Sequence, residues 1–196
     1  AVKTSVQHLA TTKETHKSLL PSTIFQFSPH NILDKRIIEI LAQEIEIKVF
    51  FGLETSYKGT DFLVYGLDKE WFLRNPQIMD MKKKEQLLYF MENGALVIQA
   101  HPFREASYID HIRLFPRCIH GVEVINAGRT EEENKMARIY AEHYGLIEFA
   151  GTDNHIGKKQ KSLAGMCSEK AVMNEQDFIC RVKNNEMTTF TTLSIG

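Results

Sequence analysis

Leu146-Ile147-Glu148-Phe149-Ala150-Gly151-Thr152-Asp153-Asn154-His155 joins a short apolar run to a carboxylate and an imidazole. Earlier in the chain, Leu96-Val97-Ile98-Gln99-Ala100 leads in the same way into His101-Pro102-Phe103-Arg104. A third run, Lys48-Val49-Phe50-Phe51-Gly52-Leu53, ends at Glu54. Short β-branched and aromatic runs read as buried parallel strands, and α/β enzymes place their chemistry at the carboxyl ends of such strands. Carboxylate and imidazole groups at three strand ends point to a hydrolytic metal site.

The rest of the chain alternates strand and helix signals around these runs. Thr23 to Phe27 reads as a strand, and Asp34 to Glu46 as a helix with Ile37, Ile38, Leu41 and Ile45 at helical spacing. A turn at Lys58-Gly59-Thr60 precedes a strand over Asp61 to Tyr65, and Asn75-Pro76 breaks the chain. Asp80 can cap a helix carrying Leu87, Leu88 and Met91 that stops at Gly94. Gly121-Val122-Glu123-Val124-Ile125 is a further strand. Thr130 and Glu133 then form a capping box for a helix with Met136, Ile139 and Tyr140 on one face, ending at Gly145. Asn174 caps a last helix with Phe178, Ile179 and Val182, and Thr188 to Thr192 reads as a final strand. Alternating β and α units imply a largely parallel α/β sheet, closed or open. Ligands at three or more strand ends favour a closed barrel, because an open sheet gathers its ligands at one switch point.

Composition narrows the function classes. The 196 residues fit a single domain over 1–196, and 43% hydrophobic with 25% charged residues is a globular balance. Basic and acidic residues number 24 and 25, so no net field recruits nucleic acid or an anionic membrane. No apolar stretch reaches the roughly 20 residues of a membrane helix. The polar start, Ala1 to Ser18, has no signal-peptide character, and the three cysteines form no C-x-x-C pair. A cytoplasmic protein without a disulfide framework is expected.

Individual residues carry two readings each. Asp153 and His155 are two apart, so an extended chain turns both toward one ion, although Gly151-Thr152-Asp153-Asn154 is also good turn chemistry. A hard carboxylate beside an imidazole suits zinc, manganese or iron. His101 leaves its strand at Pro102, and Arg104 can fork onto a phosphate or lie on the surface. Glu54 either stands at the mouth of its strand or is solvated there. Glu123 either hydrogen-bonds to a ligand or faces outward, and the outward position is expected. The sequence has no glycine-rich phosphate loop, G-x-S-x-G elbow or cysteine nucleophile site.

Four segments in order resemble the polymerase-and-histidinol-phosphatase (PHP) family of metal-dependent phosphoesterases, across roughly residues 45 to 195. They are Gly52-Leu53-Glu54, Ala100-His101-Pro102-Phe103-Arg104, Gly121-Val122-Glu123-Val124-Ile125-Asn126, and Ala150-Gly151-Thr152-Asp153-Asn154-His155. The resemblance implies a distorted (β/α)7 TIM-like barrel holding one to three divalent ions (zinc, manganese or iron). It implies Glu54, His101, Asp153 and His155 as metal ligands and Arg104 as a phosphate contact. His30, in Ser28-Pro29-His30-Asn31, resembles the family's Thr-Asp-His-Asn motif and would be a fifth ligand, with Pro29 in place of the aspartate. The family opens on an H-x-H pair that this sequence lacks, and Asp61-Phe62-Leu63 holds no histidine where many relatives carry one. The first thirty residues therefore look divergent or truncated.

The function implied is hydrolysis of a small phosphate ester by metal-activated water, with Arg104 neutralising phosphoryl charge and His155 or His101 carrying a proton. Two rival readings stand beside it. One is a degenerate PHP module with a structural or interaction role, favoured by the missing H-x-H pair. The other is a nucleotide-processing exonuclease, opposed by the neutral charge and the lack of aromatic-basic stripes, so extended nucleic-acid binding is not expected. The oligomeric state is not legible from sequence.

Overall fold

The computed structural model describes residues 6–9, 22–26, 48–154 and 162–193. The chain order is β1 (Val6–Leu9), β2 (Ser22–Gln26), β3 (Val49–Tyr57), β4 (Thr60–Tyr65), α1 (Lys69–Arg74) and a 3-10 turn (Pro76–Met79). It continues with α2 (Lys83–Glu92), β5 (Leu96–Ala100), β6 (Gly121–Asn126), α3 (Glu131–Tyr144), β7 (Ile147–Gly151), β8 (Ser162–Cys167), α4 (Glu175–Lys183) and β9 (Thr188–Leu193). The expected helix over Asp34 to Glu46, together with His30 and His155, lies outside the described residues.

β1 to β7 form one mixed sheet in sequence order, and β8 pairs with β9 as an antiparallel ribbon. Neighbouring strands are parallel at β2–β3, β5–β6 and β6–β7, and antiparallel at β1–β2, β3–β4 and β4–β5. The expected closed parallel barrel is corrected on both counts: among the described residues the ladder does not close, and half its pairings are antiparallel. Local chemistry explains the reversal at β4. A parallel pair needs a crossover of about a dozen residues or more. Lys58 and Gly59 instead make a two-residue turn with φ of 50° and 82°, the left-handed pair that joins hairpin strands.

Both faces of the sheet are buried. β4 sends Phe62 and Val64 to one side, where they pack with Leu87 and Phe90 of α2 and Tyr140 of α3. Leu63 and Tyr65 go to the other side, against Phe178 of α4 and Ala164 and Met166 of β8. The strand period of two thus divides the chain between two cores.

Helix signals fared well where they were local. The Thr130–Glu133 capping box, Gly145 in the left-handed conformation and the Asn174 cap all form. Two details differ. α2 starts after Lys82 rather than at Asp80, because Asp80 closes the preceding 3-10 turn. On α3 the buried side chains are Ala137, Tyr140 and Ala141, while Met136 and Ile139 stay about half exposed. Small residues let that helix lie close to the sheet.

His120 ties three strands together at the start of β6. Its N–H donates to Val97 O (2.8 Å), its Nδ1 accepts from Val97 N–H (3.1 Å), and its carbonyl accepts from Ile147 N–H (3.1 Å). Burial, helped by the Lys183 charge, pulls its imidazole down to about 4. An unfolded histidine binds a proton near 6.5, so the unfolded state holds more protons between those values and stability falls as pH falls through that window. For this half-buried group the loss from pH 7.5 to 5 is about 1 kcal/mol after solvent screening. Urea midpoints at the two pH values should show it, and His120→Asn should flatten the difference. An unchanged pH slope in that variant rejects the assignment.

Candidate metal centre

β3, β5, β6 and β7 run in one direction and β4 in the other. The carboxyl ends of those four strands therefore share an edge of the sheet with the amino end of β4. Asp61, the second residue of β4, stands opposite Ala100, the last residue of β5. His101 follows directly. Glu54 lies within β3, opposite Leu63, so β3 runs three residues past the strand end expected at Glu54. Its place in the strand puts it on the face of Phe50 and in the same core layer as Leu63 and Tyr65.

Glu54, Asp61 and His101 bring one ligand atom each to within 4.8 Å of one another, and all three are buried. His101 Nε2 is 3.8 Å from Asp61 Oδ2 and 3.9 Å from Asp153 Oδ2. Asp61 Oδ2 also pairs with Arg104 Nη1 at 3.1 Å, and Arg104 Nη2 donates to Gly59 O at 3.2 Å. Three of the expected site residues, Glu54, His101 and Asp153, are thus gathered, with Arg104 beside them. His155 and His30 lie outside the described residues.

Asp61 is not among the site residues expected from sequence, because the family resemblance points to a histidine in that stretch. The signal for it was the Lys58-Gly59 turn, which marks a hairpin and hence a strand entering the site edge by its amino end.

Glu123 overturns its expected outward position. It is fully buried, and its Oε2 accepts from the His101 N–H (3.0 Å) and from Asn126 Nδ2 (2.9 Å). Asn126 Nδ2 reaches Asp153 Oδ2 as well, at 3.3 Å. Glu123 and Asn126 therefore connect the two chain segments that carry His101 and Asp153. Both of those residues hold left-handed backbone, φ 26° for His101 and 48° for Asp153. Non-glycine residues adopt that region at a cost of order 1 kcal/mol or more, and such strain gathers at functional sites. Thr152, between β7 and Asp153, is anchored by its hydroxyl, which donates to Ala164 O (2.9 Å) and accepts from Ala164 N–H (3.0 Å).

The electrostatics suit a cation. Burial pushes the Glu123 carboxyl up to about 8, with Asp153 and Glu54 adding to the shift against its hydrogen bonds. Burial also raises Tyr65, and Glu123 and Glu54 raise it further. These shifts report burial first, with the neighbouring carboxylates adding to it. Burial pulls the His101 imidazole down to about 4; Asp153 and Asp61 oppose this, and Arg104 and Arg129 reinforce it. His101 is then neutral at physiological pH, as a metal ligand must be. Oxygen donors with one imidazole fit zinc, manganese or iron, so the residues present match a divalent ion.

No family model matches the chain, and no curated protein matches it. Solved structures similar to it include these two. One is a two-domain protein from Bacteroides vulgatus containing a predicted PHP-like metal-dependent phosphoesterase, with a TM-score of 0.62, 15% identity and 83% of this chain covered. The chain spans about half that protein's length, 50%. The other is PsfC from Pseudomonas syringae, with a TM-score of 0.54, 16% identity, 88% of this chain and 77% of that chain covered. At these identities the likeness shows a shared mixed α/β fold. Among the described residues no helix is long and apolar enough to cross a membrane.

Proposed function

We propose that the chain is a PHP-like metal-dependent phosphoesterase, one domain that hydrolyses a small phosphate ester. The carrying observation is the buried Glu54–Asp61–His101 group, in a fold similar to that of a two-domain protein containing a predicted PHP-like metal-dependent phosphoesterase. Glu54, Asp61, His101 and Asp153 would hold the metal, with His155 and His30 completing the set. A bound divalent ion supplies positive charge for phosphoryl oxygens and acidifies water for attack on phosphorus.

The chain's own groups set this chemistry up. Arg104 holds the Asp61 carboxylate through Nη1. Glu123 holds the His101 backbone, and Asn126 bridges Glu123 to Asp153, so ligands on two strands are oriented by one hydrogen-bonded chain. The ester bond to the leaving alcohol would break as water adds to phosphorus. A histidine of the site, His155 in this reading, would pass the proton lost by that water to the leaving oxygen.

Removing and restoring the metal tests the assignment. Protein stripped with chelator should lose hydrolysis of an aryl phosphate and regain it with zinc, manganese or ferrous iron. At least one ion per chain should return with activity. Less than one ion per chain, with no metal-stimulated turnover, would reject the enzyme in favour of a structural or interaction module.

A further inference from the structure

Two arginines belong to segments beside the candidate site, and their surroundings differ. Both terminal nitrogens of Arg104 are engaged by the protein, Nη1 with Asp61 and Nη2 with Gly59 O. Its guanidinium carbon is 5.7 Å from the Tyr108 ring centroid, and its Nε is buried without a partner, as is that of Arg129. Arg129 sits in the loop leaving the carboxyl end of β6. Its N–H donates to Asn126 O (3.1 Å), and Ala127 N–H donates to Gly151 O (3.0 Å). A Cβ on Gly128 would stand 3.8 Å from the Asp153 carbonyl. The loop therefore lies against the chain segment that carries Asp153.

The Arg129 guanidinium makes no hydrogen bond or ion pair with the described residues, and its Nε is buried without a partner. Glu133, the acidic group whose ionisation its charge favours, has both oxygens occupied: Oε1 by Glu105 N–H and Oε2 by Thr130 N–H. A guanidinium stays charged at any ordinary pH and presents a planar fork that matches phosphate oxygens. A charged donor turned from water without an acceptor costs free energy that an anion would recover.

On the phosphoesterase reading above, we infer that Arg129 binds the phosphoryl oxygens of the substrate, and that Arg104 is a positioning residue for Asp61. The two cations then divide two tasks. Arg104 shapes the metal site, and Arg129 faces the anion.

Calorimetric titration with inorganic phosphate tests this directly, on metal-free and manganese-loaded protein, with metal content measured on the same samples. Arg129→Ala should weaken phosphate binding at least tenfold and leave metal content unchanged. Arg129→Lys, which keeps the charge without the fork, should recover part of the loss. Arg104→Lys should instead lower metal content. Phosphate affinity within twofold of wild type in Arg129→Ala overturns the inference, as does a wild-type protein that binds no phosphate. A wild type that takes up no manganese, yet whose phosphate affinity drops in Arg129→Ala, supports the anion site and rejects the phosphoesterase reading. Full metal with unchanged phosphate affinity in the variant rejects the anion site alone.

Discussion

Asp61→Asn lowers metal-dependent hydrolysis of an aryl phosphate by at least about 100-fold, while the protein remains folded. Replacing groups that merely orient a ligand already costs about 10- to 100-fold in affinity or activity, and a carboxylate that touches the ion should cost more. The amide keeps the shape and an oxygen for Arg104 Nη1, so the guanidinium is not left without an acceptor. What disappears is one negative charge among three buried ligand atoms within 4.8 Å. Atomic absorption should show reduced metal retention in step with the lost activity, and circular dichroism should be unchanged. Wild-type turnover and metal content in Asp61→Asn would remove Asp61 from the site.

Phe178→Ala costs about 3–5 kcal/mol of stability, read from urea unfolding. Phe178 is fully buried on α4, with its ring 6.4 Å from Phe50, 5.9 Å from Tyr65 and 6.4 Å from Phe149. Those three partners come from β3, β4 and β7, so one ring closes α4 onto strands far apart in sequence. Truncation loses the transfer free energy of the ring and leaves a cavity that rigid strands cannot collapse to fill. A domain of this size has about 5–15 kcal/mol in all, so the variant should unfold at clearly lower urea. A loss below about 1 kcal/mol would mean that α4 packs elsewhere in solution. The same layer supports Glu54, which shares a sheet face with Phe50, so weakened metal retention should accompany the lost stability.

The candidate site divides cleanly between what the sequence shows and what it hides. His101 is readable because it directly follows an apolar run, and Asp153 because it comes two residues after a strand's end; a strand exit is a local event. Glu54 was found for a partly wrong reason. It was expected at a strand end, yet it lies inside β3 and faces the site by parity. Arg104 is expected on phosphate by resemblance, and the structure pairs it with Asp61 and Gly59 O. That pairing joins residues 43 apart in the chain, which no local pattern reports.

Sequence by itself determined the elements with local causes. The Thr130–Glu133 capping box, the left-handed Gly145 and the Asn174 cap depend on residues within a turn of one another, and they form as read. The apolar runs at β5, β6 and β7 are strands because their side chains suit burial on both faces. Tertiary structure alone decided the direction of β4, and with it the entry of Asp61 into the site. It also decided that Glu123 turns inward beneath His101. Strand direction and facing depend on which distant strand supplies the hydrogen bonds, and a one-residue change of register would invert every side chain. Local sequence carries the period, and only the pairing carries the phase.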